Sequence, residues 1–316
     1  MRAYSHRTER TYLSWIQRFL RFHGGKSPAM LGRIQAEEFL RHLAEQGLAP
    51  RSRNLAASAI AFLYRELWGQ ELGGRAGLVR AKSKKGLPKY VPPGDVERVF
   101  AELSGETLLA CMIMYGSGVR LSETLSLRIQ DISLETREIT VREGKGGRDR
   151  TTLIAARAVG PIREQIERVA EQHEEDLALG VGWVPLPYRG DLRDPGAGWT
   201  LGWQYLFPSS VLATDPVTGR PGRHPLHTST IQRRLKRAVR AVGLNRALTP
   251  HILRHSFATE LVRRGVDVRL IQRLLGHRWL STTMKYLHVV DRPGLSVESP
   301  LDRLTKDFGQ DRAGSL

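Results

Sequence analysis

The first part of the chain carries apolar residues at the spacing of an α-helix. Within residues 8–23 they recur every three or four positions, and arginine and glutamine fill the positions between them. Residues 34–46 and 52–68 repeat this pattern, and glycines follow the first two segments as helix stops. The pattern therefore predicts a small all-helical domain over residues 1–81.

The patterning changes after residue 93 and predicts a larger, mixed domain over residues 94–316. Residues 138–154 alternate apolar and polar positions on two arms around a glycine-rich turn, which is typical of a β-hairpin. Further helices are predicted at about 95–103, 106–117, 157–179, 228–242, 250–264, 267–275 and 281–290. An insert at about 180–226 is rich in glycine, proline and aromatic residues. The predicted fold class is mainly α with a small β-sheet (α+β).

Residues 82–93 join the two predicted domains. They hold four lysines and three prolines and have few apolar side chains to bury, which predicts an extended, cationic linker. Such a segment is either a solvated loop or a line of positive charge that lies along a phosphate backbone. The second interpretation makes Lys82, Lys84 and Lys85 candidate DNA-binding residues.

Net charge is the most informative feature of the composition. The 49 Lys and Arg residues outnumber the 32 Asp and Glu residues by 17, and the pI is about 10.6. A protein this basic usually binds a polyanion, most often nucleic acid; a basic protein without such a partner is the alternative. A hydrophobic content of 41% excludes wholesale disorder, and the single cysteine excludes an internal disulfide or a Cys-rich metal cluster.

Location is predicted from the same composition. The lone Cys111 fits a reducing compartment, so we expect a cytoplasmic protein. The longest unbroken apolar stretch, residues 108–115, is far too short to span a bilayer. No apolar core follows the basic N-terminus as it does in a secretory signal. The sequence thus predicts no membrane partner.

Two segments of the mixed domain hold a cation that suits a phosphate. Arg120 follows a glycine turn at the predicted start of a helix, and Glu123 lies three residues later, where its carboxylate braces the guanidinium. The alternative is that Arg120 and Glu123 form an ordinary ion pair on the surface. Lys145 lies at the tip of the predicted hairpin in a chain with 40 arginines and nine lysines. It is either a chance lysine or a required proton donor, because a guanidinium cannot give up its proton.

Two later segments add histidines and a tyrosine. Thr249 and Pro250 mark a helix start, after which His251 and Arg254 lie on one face near the positive end of the helix dipole. A zinc-protease motif would need Glu where Ile252 stands, so no metal site is predicted. Further on, Gly276 and His277 end one helix and Ser281 begins another. Tyr286 is then predicted about one and a half turns into that helix, where an isolated tyrosine is ordinarily a core or surface aromatic.

Together and in this order, six residues resemble those of the tyrosine recombinase (phage-type integrase) family: Arg120, Lys145, His251, Arg254, His277 and Tyr286. The resemblance implies that Tyr286 attacks a DNA phosphodiester to give a 3′-phosphotyrosine, without metal, ATP or another cofactor. It implies that Arg120 and Arg254 bind the non-bridging oxygens and that Lys145 protonates the leaving 5′-oxygen. It assigns the proton of the tyrosine to His251 and a phosphate hydrogen bond to His277. Residues 1–81 correspond to the family's helical core-binding (SAM-like) domain, which clamps DNA.

The insert resembles that of the integron integrases, particularly over residues 202–209. In that family an extra helix and its surroundings recognise extrahelical bases on a folded single-stranded cassette site (attC). Trp203, Pro216 and His224 match positions that contact those bases, whereas Pro225 stands where the family commonly has a second histidine. The resemblance implies insertion and excision of gene cassettes by attI × attC and attC × attC recombination. The alternative is that the aromatic residues of the insert form a small satellite core.

The resemblance also implies an assembly. The C-terminal residues 295–308 are expected to form a helix that docks into a neighbouring protomer, so that four subunits are linked around two DNA sites. The protein free of DNA is expected to be a monomer. Three other interpretations stay open: a Xer-type or phage integrase that acts on duplex sites only, a type IB topoisomerase-like enzyme, and an inactive DNA-binding protein that kept the fold.

Overall fold

The computed structural model describes residues 6–72, 78, 81, 90–144, 148–187, 194–215 and 218–287. The chain divides into two compact units, Met1–Gly86 and Leu87–Leu316, and the division falls within the predicted linker. Three predicted DNA-binding residues lie outside the described residues, so their role stays a prediction: Lys82, Lys84 and Lys85.

The described part of the first unit folds as three α-helices, α1 (His6–Phe22), α2 (Arg33–Glu45) and α3 (Pro50–Trp68). Each lies within two residues of its predicted bounds. Pro50 occupies the first turn of α3, where its missing N–H costs nothing, and Gly69 ends the helix in the left-handed conformation. The apolar stripes of the three helices meet in one core, which includes Phe19, Phe39, Leu43, Ile60 and Tyr64.

The second unit is built around one very apolar helix. Its described helices are α4 (Pro93–Ala101), α5 (Gly105–Ser117), α6 (Leu121–Leu125), α7 (Ala156–Ala178), α8 (Thr228–Ala241), α9 (Pro250–Arg263), α10 (Val268–Leu275) and α11 (Leu280–Met284). The helix α5 buries residues on every side and packs against α7, α8 and α9. The C-terminal end of α5 is thereby fixed against α9, which positions the candidate site described below.

A small antiparallel sheet flanks these helices. It consists of β1 (Ile132–Ser133), β2 (Glu138–Gly144) and β3 (Arg148–Leu153), in that order. Ile139 and Val141 of β2 turn into the core, as the alternating pattern predicts. Helices with small sheets confirm the predicted fold class.

The insert differs from the expectation of an extra helix. Its described residues form two 3₁₀ turns, Ala197–Trp199 and Leu201–Trp203, and a second hairpin of β4 (Pro208–Thr214) and β5 (Pro221–Pro225). Prolines in these segments disfavour a helix, since Pro208 begins β4 and Pro221 and Pro225 bound β5. Gly198 packs so close to the Trp183 indole that a Cβ would come within 2.5 Å of its nitrogen.

Candidate active site

The loop after α5 places Arg120. Gly118 ends α5 with φ of 65°, and a Cβ at this position would overlap the ring of Phe257, so both backbone and space require glycine. Arg120 then caps α6. Glu123 accepts hydrogen bonds from the Arg120 backbone N–H at 2.9 Å and from its Nη1 at 2.7 Å. The predicted brace is therefore present as a contact.

A second arginine, for which the sequence predicts no role, holds the same carboxylate. Arg150 of β3 donates to both oxygens of Glu123, at 3.1 and 2.6 Å, and its Nε donates to the carbonyl of Leu274 at 3.1 Å. Burial by itself raises the pKa of Glu123. The hydrogen bonds and charge of Arg150, together with those of Arg120, outweigh this effect and lower the pKa to about 2. Glu123 is therefore ionised at neutral pH.

The third arginine is almost completely buried. Arg254 is 2% exposed, and it donates to the carbonyls of Gly118 at 2.6 Å and of Leu275 at 2.5 Å. Burial and the charge of Arg120 lower the pKa of Arg254 to about 9, so it stays cationic at pH 7. Its Nη1 lies 3.8 Å from Glu123. Within the described residues, three guanidinium groups thus surround one carboxylate, and the excess positive charge suits an anion.

The predicted start of α9 is present, with Thr249 as the N-cap and Pro250 as the first residue. His251 lies exposed in the first turn. His255 follows one turn later, and the centroids of the two imidazole rings are 4.0 Å apart. Burial and the charges of His251 and Arg254 lower the pKa of His255 to about 4, so its ring is neutral at pH 7.

His277 follows the left-handed Gly276 that ends α10. Its Nδ1 forms a hydrogen bond of 2.9 Å with the hydroxyl of Thr283, which holds the ring in place. Burial and the charges of Arg254 and Arg120 lower the pKa of His277 to about 3. The ring is therefore also neutral at pH 7.

Tyr286 lies beside these rings, but not in a helix as predicted. The helix α11 ends at Met284, and the Tyr286 N–H donates to the carbonyl of Thr283 in the turn that follows. This turn carries the side chain inwards, where it is 2% exposed and its ring is parallel to that of His277. The hydroxyl is 2.6 Å from Nδ1 of His255. Burial raises the pKa of the Tyr286 hydroxyl above 10.

His255 is a residue for which the sequence predicts no role. The signal that points to it is its spacing, because a residue four positions after His251 lies on the same face of a helix. The structure thus brings together five of the six predicted catalytic residues: Arg120, His251, Arg254, His277 and Tyr286. Lys145 lies outside the described residues, although both strands of its hairpin are described.

Trp203 of the insert is half-buried beside two arginines. The guanidinium groups of Arg128 and Arg142 lie 5.5 and 5.6 Å from its ring centroid. Arg128 is itself buried and donates to the carbonyls of Trp203 at 2.5 Å and Pro185 at 2.6 Å. A cavity of about 260 Å³ is lined by these two arginines and also by Glu123. Residues of the insert, among them Pro185 and Tyr205, therefore line the same cavity as Glu123.

The other two predicted base-contacting residues are placed separately. His224 lies partly buried on β5, which is fixed to α7 because the neighbouring Arg223 pairs with Asp176 at 2.5 and 2.9 Å. Pro216 lies outside the described residues. In the part of the chain that is described, no three His, Cys, Asp or Glu side chains are grouped to hold a metal ion, and no helix is long and apolar enough to cross a membrane.

Two family models match this chain. The phage integrase family matches residues 90–292, and the phage integrase N-terminal SAM-like domain matches residues 1–74. An integrase/recombinase of Escherichia coli is 40% identical over 308 residues, which cover 95% of this chain and 90% of the relative. The tyrosine recombinase XerA of Pyrococcus furiosus is 32% identical over 288 residues, which cover 90% and 84%.

Solved structures share the fold at lower sequence identity. The Tn1549 transposon integrase in complex with transposon right end DNA has a TM-score of 0.62 and 17% identity, with 90% of each chain covered. A lambda integrase dimer bound to a COC′ core site has a TM-score of 0.60 and 18% identity, with 94% of each chain covered. The chain belongs to the phage integrase family, the tyrosine site-specific recombinases that cleave and rejoin DNA.

Proposed function

We propose that this recombinase is an integron integrase, which inserts and excises gene cassettes by attI × attC and attC × attC recombination. Its DNA partners are then a duplex attI site and a folded single-stranded attC hairpin, and it acts in the bacterial cytoplasm. The net charge of +17 supports a nucleic-acid partner. The recombinase–DNA complexes among the structural neighbours support the same partner.

The chemistry is assigned to the residues that the resemblance names, with Tyr286 as the nucleophile. Its oxygen attacks the phosphorus, the bond to the 5′-oxygen breaks, and the 3′-phosphotyrosine keeps the bond energy for religation without ATP or metal. Arg120 and Arg254 stabilise the charge on the non-bridging oxygens. Lys145 protonates the leaving 5′-oxygen. The resemblance assigns the proton of the tyrosine to His251.

The excess positive charge of the three arginines around Glu123 supports this assignment. Among the described residues, Glu123 supplies one negative charge against the three guanidinium groups. A phosphodiester carries one negative charge and would offset part of the positive charge that remains. Glu123 then acts by holding Arg120, and the Thr283 hydroxyl holds His277 so that its Nε2 is left for the phosphate. Neutral His277 donates through that nitrogen.

The observation that carries the integron assignment is the insert. Residues 202–209 resemble the integron integrases, and the resemblance implies that Trp203 and His224 are base-contacting residues. Pro185 and Tyr205 of the insert line one cavity together with Glu123, which supports a role for the insert next to the candidate active site. A Xer-type or phage integrase that acts on duplex sites only is the second candidate, and the 32% identity to the tyrosine recombinase XerA favours a Xer-type enzyme.

We also propose that the C-terminal residues 295–308, which lie outside the described residues, dock on a neighbouring protomer and link a tetramer around two DNA sites. Their apolar residues at helical spacing are Leu301, Leu304 and Phe308. A groove of about 870 Å³ between α4, α5 and α9 offers a receptor of matching chemistry. Its apolar lining includes Phe100, Leu108, Met112, Tyr115 and Leu261.

Binding to two substrates tests the integron assignment. One is a folded attC hairpin with extrahelical bases, and the other is the same sequence as a perfect duplex. Trp203→Ala should weaken hairpin binding about ten- to a hundredfold, because one base stacked on an aromatic ring contributes about 1–3 kcal/mol. Duplex binding should change much less, since phosphate contacts dominate there.

Trp199→Ala is the matched control, because it removes a second indole of the same insert that matches no base-contacting position. It should not discriminate between the two substrates. Deleting the extrahelical bases should reproduce the Trp203→Ala defect in the wild type, and combining both changes should add little. Equal weakening of hairpin and duplex by Trp203→Ala would make the duplex-site recombinase the better function.

A further inference from the structure

The hydroxyl of Tyr286 forms its hydrogen bond with the second histidine of α9 and not with the expected one. The oxygen lies 2.6 Å from Nδ1 of His255. His251, to which the resemblance assigns the tyrosine proton, lies one turn earlier, and its ring packs edge-on against that of His255. The two histidines and the tyrosine therefore form a row that leads from solvent to the buried hydroxyl.

Resting on the proposed function, we propose that His255 is a catalytic residue, the base that takes the proton of Tyr286 when the tyrosine attacks DNA. The O–H bond breaks, an N–H bond forms at Nδ1, and the tyrosine oxygen bonds to phosphorus as the bond to the 5′-oxygen breaks. The leaving oxygen takes a proton from Lys145, as the resemblance implies. In religation the attacking 5′-hydroxyl gives its proton back to Lys145 and the imidazolium returns its proton to Tyr286, so no proton is gained or lost over the cycle.

Burial of the nucleophile favours a base supplied by the protein. Tyr286 is 2% exposed, so a neighbouring side chain is better placed than bulk water to take its proton. A general base has to lie within hydrogen-bond distance of the proton it removes, and the 2.6 Å contact meets this condition. His255 lies in the middle of α9, between the buried Arg254 and Ser256, so its position is fixed by the helix.

The charges around His255 make this base dependent on DNA. The side chains that face it are His251 and Arg254 of its own helix, His277, and Lys285 and Tyr286 after α11. Burial and the cations among them keep the free protein's ring neutral at pH 7 with a low affinity for protons. A phosphodiester at the arginines would offset this positive charge. DNA binding therefore raises the proton affinity of His255 and makes proton transfer from the tyrosine easier than in the free protein.

His255→Asn tests the inference, because an amide keeps a hydrogen-bonding atom near the position of Nδ1 but cannot take a proton at neutral pH. The rate of covalent complex formation on a suicide substrate is measured together with DNA affinity and thermal stability. We expect a loss of about 10²–10⁴-fold in rate at unchanged DNA affinity. The matched control is His251→Asn, which should lose less.

Chemical rescue gives a second measurement that a structural role would not produce. His255→Ala leaves space for free imidazole, which should restore cleavage by about tenfold or more and act more strongly as the pH rises and more imidazole is unprotonated. His251→Ala should show no such rescue. If His255→Asn does not fold, the imidazole rescue of His255→Ala tests the role of His255 instead.

Two results would overturn the inference: His255→Asn cleaving within about threefold of the wild-type rate, or imidazole rescue of His251→Ala alone. Failure of the proposed function has a different signature. In that case the wild type itself forms no covalent complex on either hairpin or duplex. If the wild type forms the complex and Tyr286→Phe does not, the recombinase chemistry stands and only the assignment of the base is tested.

Discussion

Replacing Glu123 by glutamine removes the negative charge that three arginines share. The carboxylate accepts hydrogen bonds from Arg120 and Arg150 and lies 3.8 Å from Arg254. Burial raises its pKa, but the arginines outweigh burial and lower the pKa from 4.5 to about 2. A pKa difference of one between the folded and unfolded states corresponds to about 1.4 kcal/mol. Ionised Glu123 therefore stabilises the folded state by about 3 kcal/mol.

We therefore expect Glu123→Gln to lower the free energy of unfolding by about 3 kcal/mol at pH 7, near the lower end of the range for breaking a buried ion pair. Urea unfolding followed by tryptophan fluorescence measures this loss. Replacing Trp15 and Trp68 by phenylalanine confines the signal to the second unit, which holds the other four tryptophans. Glu135→Gln, an exposed carboxylate, is the control and should change stability by less than about 0.5 kcal/mol.

The difference in the free energy of unfolding between wild type and Glu123→Gln depends on pH, because folding lowers the pKa of Glu123. The folded-state pKa of Glu123 is below the unfolded value, so its contribution is fully present above about pH 4.5 and is lost as the pH falls towards about 2. The difference between wild type and Glu123→Gln should therefore shrink through this window. A difference below about 1 kcal/mol at pH 7, or one that does not shrink in acid, would refute the shared-carboxylate reasoning.

Three further predictions concern the hairpin, the α5 turn and the C-terminal segment. Lys145→Arg keeps the charge but should slow cleavage by about 10²–10⁴-fold, and a 5′-phosphorothiolate substrate, whose leaving group needs no protonation, should restore much of the rate; no rescue would point to a purely electrostatic role. Gly118→Ala should destabilise the second unit by about 1–3 kcal/mol, because the new methyl group overlaps Phe257 in a left-handed turn; an unchanged urea midpoint would contradict this. Truncation after Pro293 should spare binding to one DNA site and abolish synaptic complexes in gel-shift assays, and full recombination by the truncated protein would refute the docking proposal.

The helices and the order of elements could be predicted because their signals are local. Thr249 and Pro250 mark the start of α9 by their own hydrogen-bonding and backbone preferences, and Gly118 and Gly276 mark helix ends by their left-handed conformation. These preferences act within one turn of helix. A sequence pattern is therefore enough to place such boundaries.

The contacts that complete the site depend on residues far apart in the chain. Arg150 meets Glu123 only because β3 passes α6, and His255 meets Tyr286 across 31 positions. The inward turn at Tyr286 ends α11 at Met284, although the sequence predicts that this helix continues to about residue 290. Periodicity reports the face of a helix, and it does not report which distant partner that face meets.

The proposed mechanism requires a covalent bond between Tyr286 and DNA. Mass spectrometry of the peptide that carries DNA trapped on a suicide substrate identifies the residue that forms this bond. We expect a 3′-phosphate linked to Tyr286 in the wild type. We expect no adduct in Tyr286→Phe, which should bind DNA almost as well because many other contacts hold the phosphates. DNA linked to another residue, or an adduct formed by Tyr286→Phe, would contradict this mechanism.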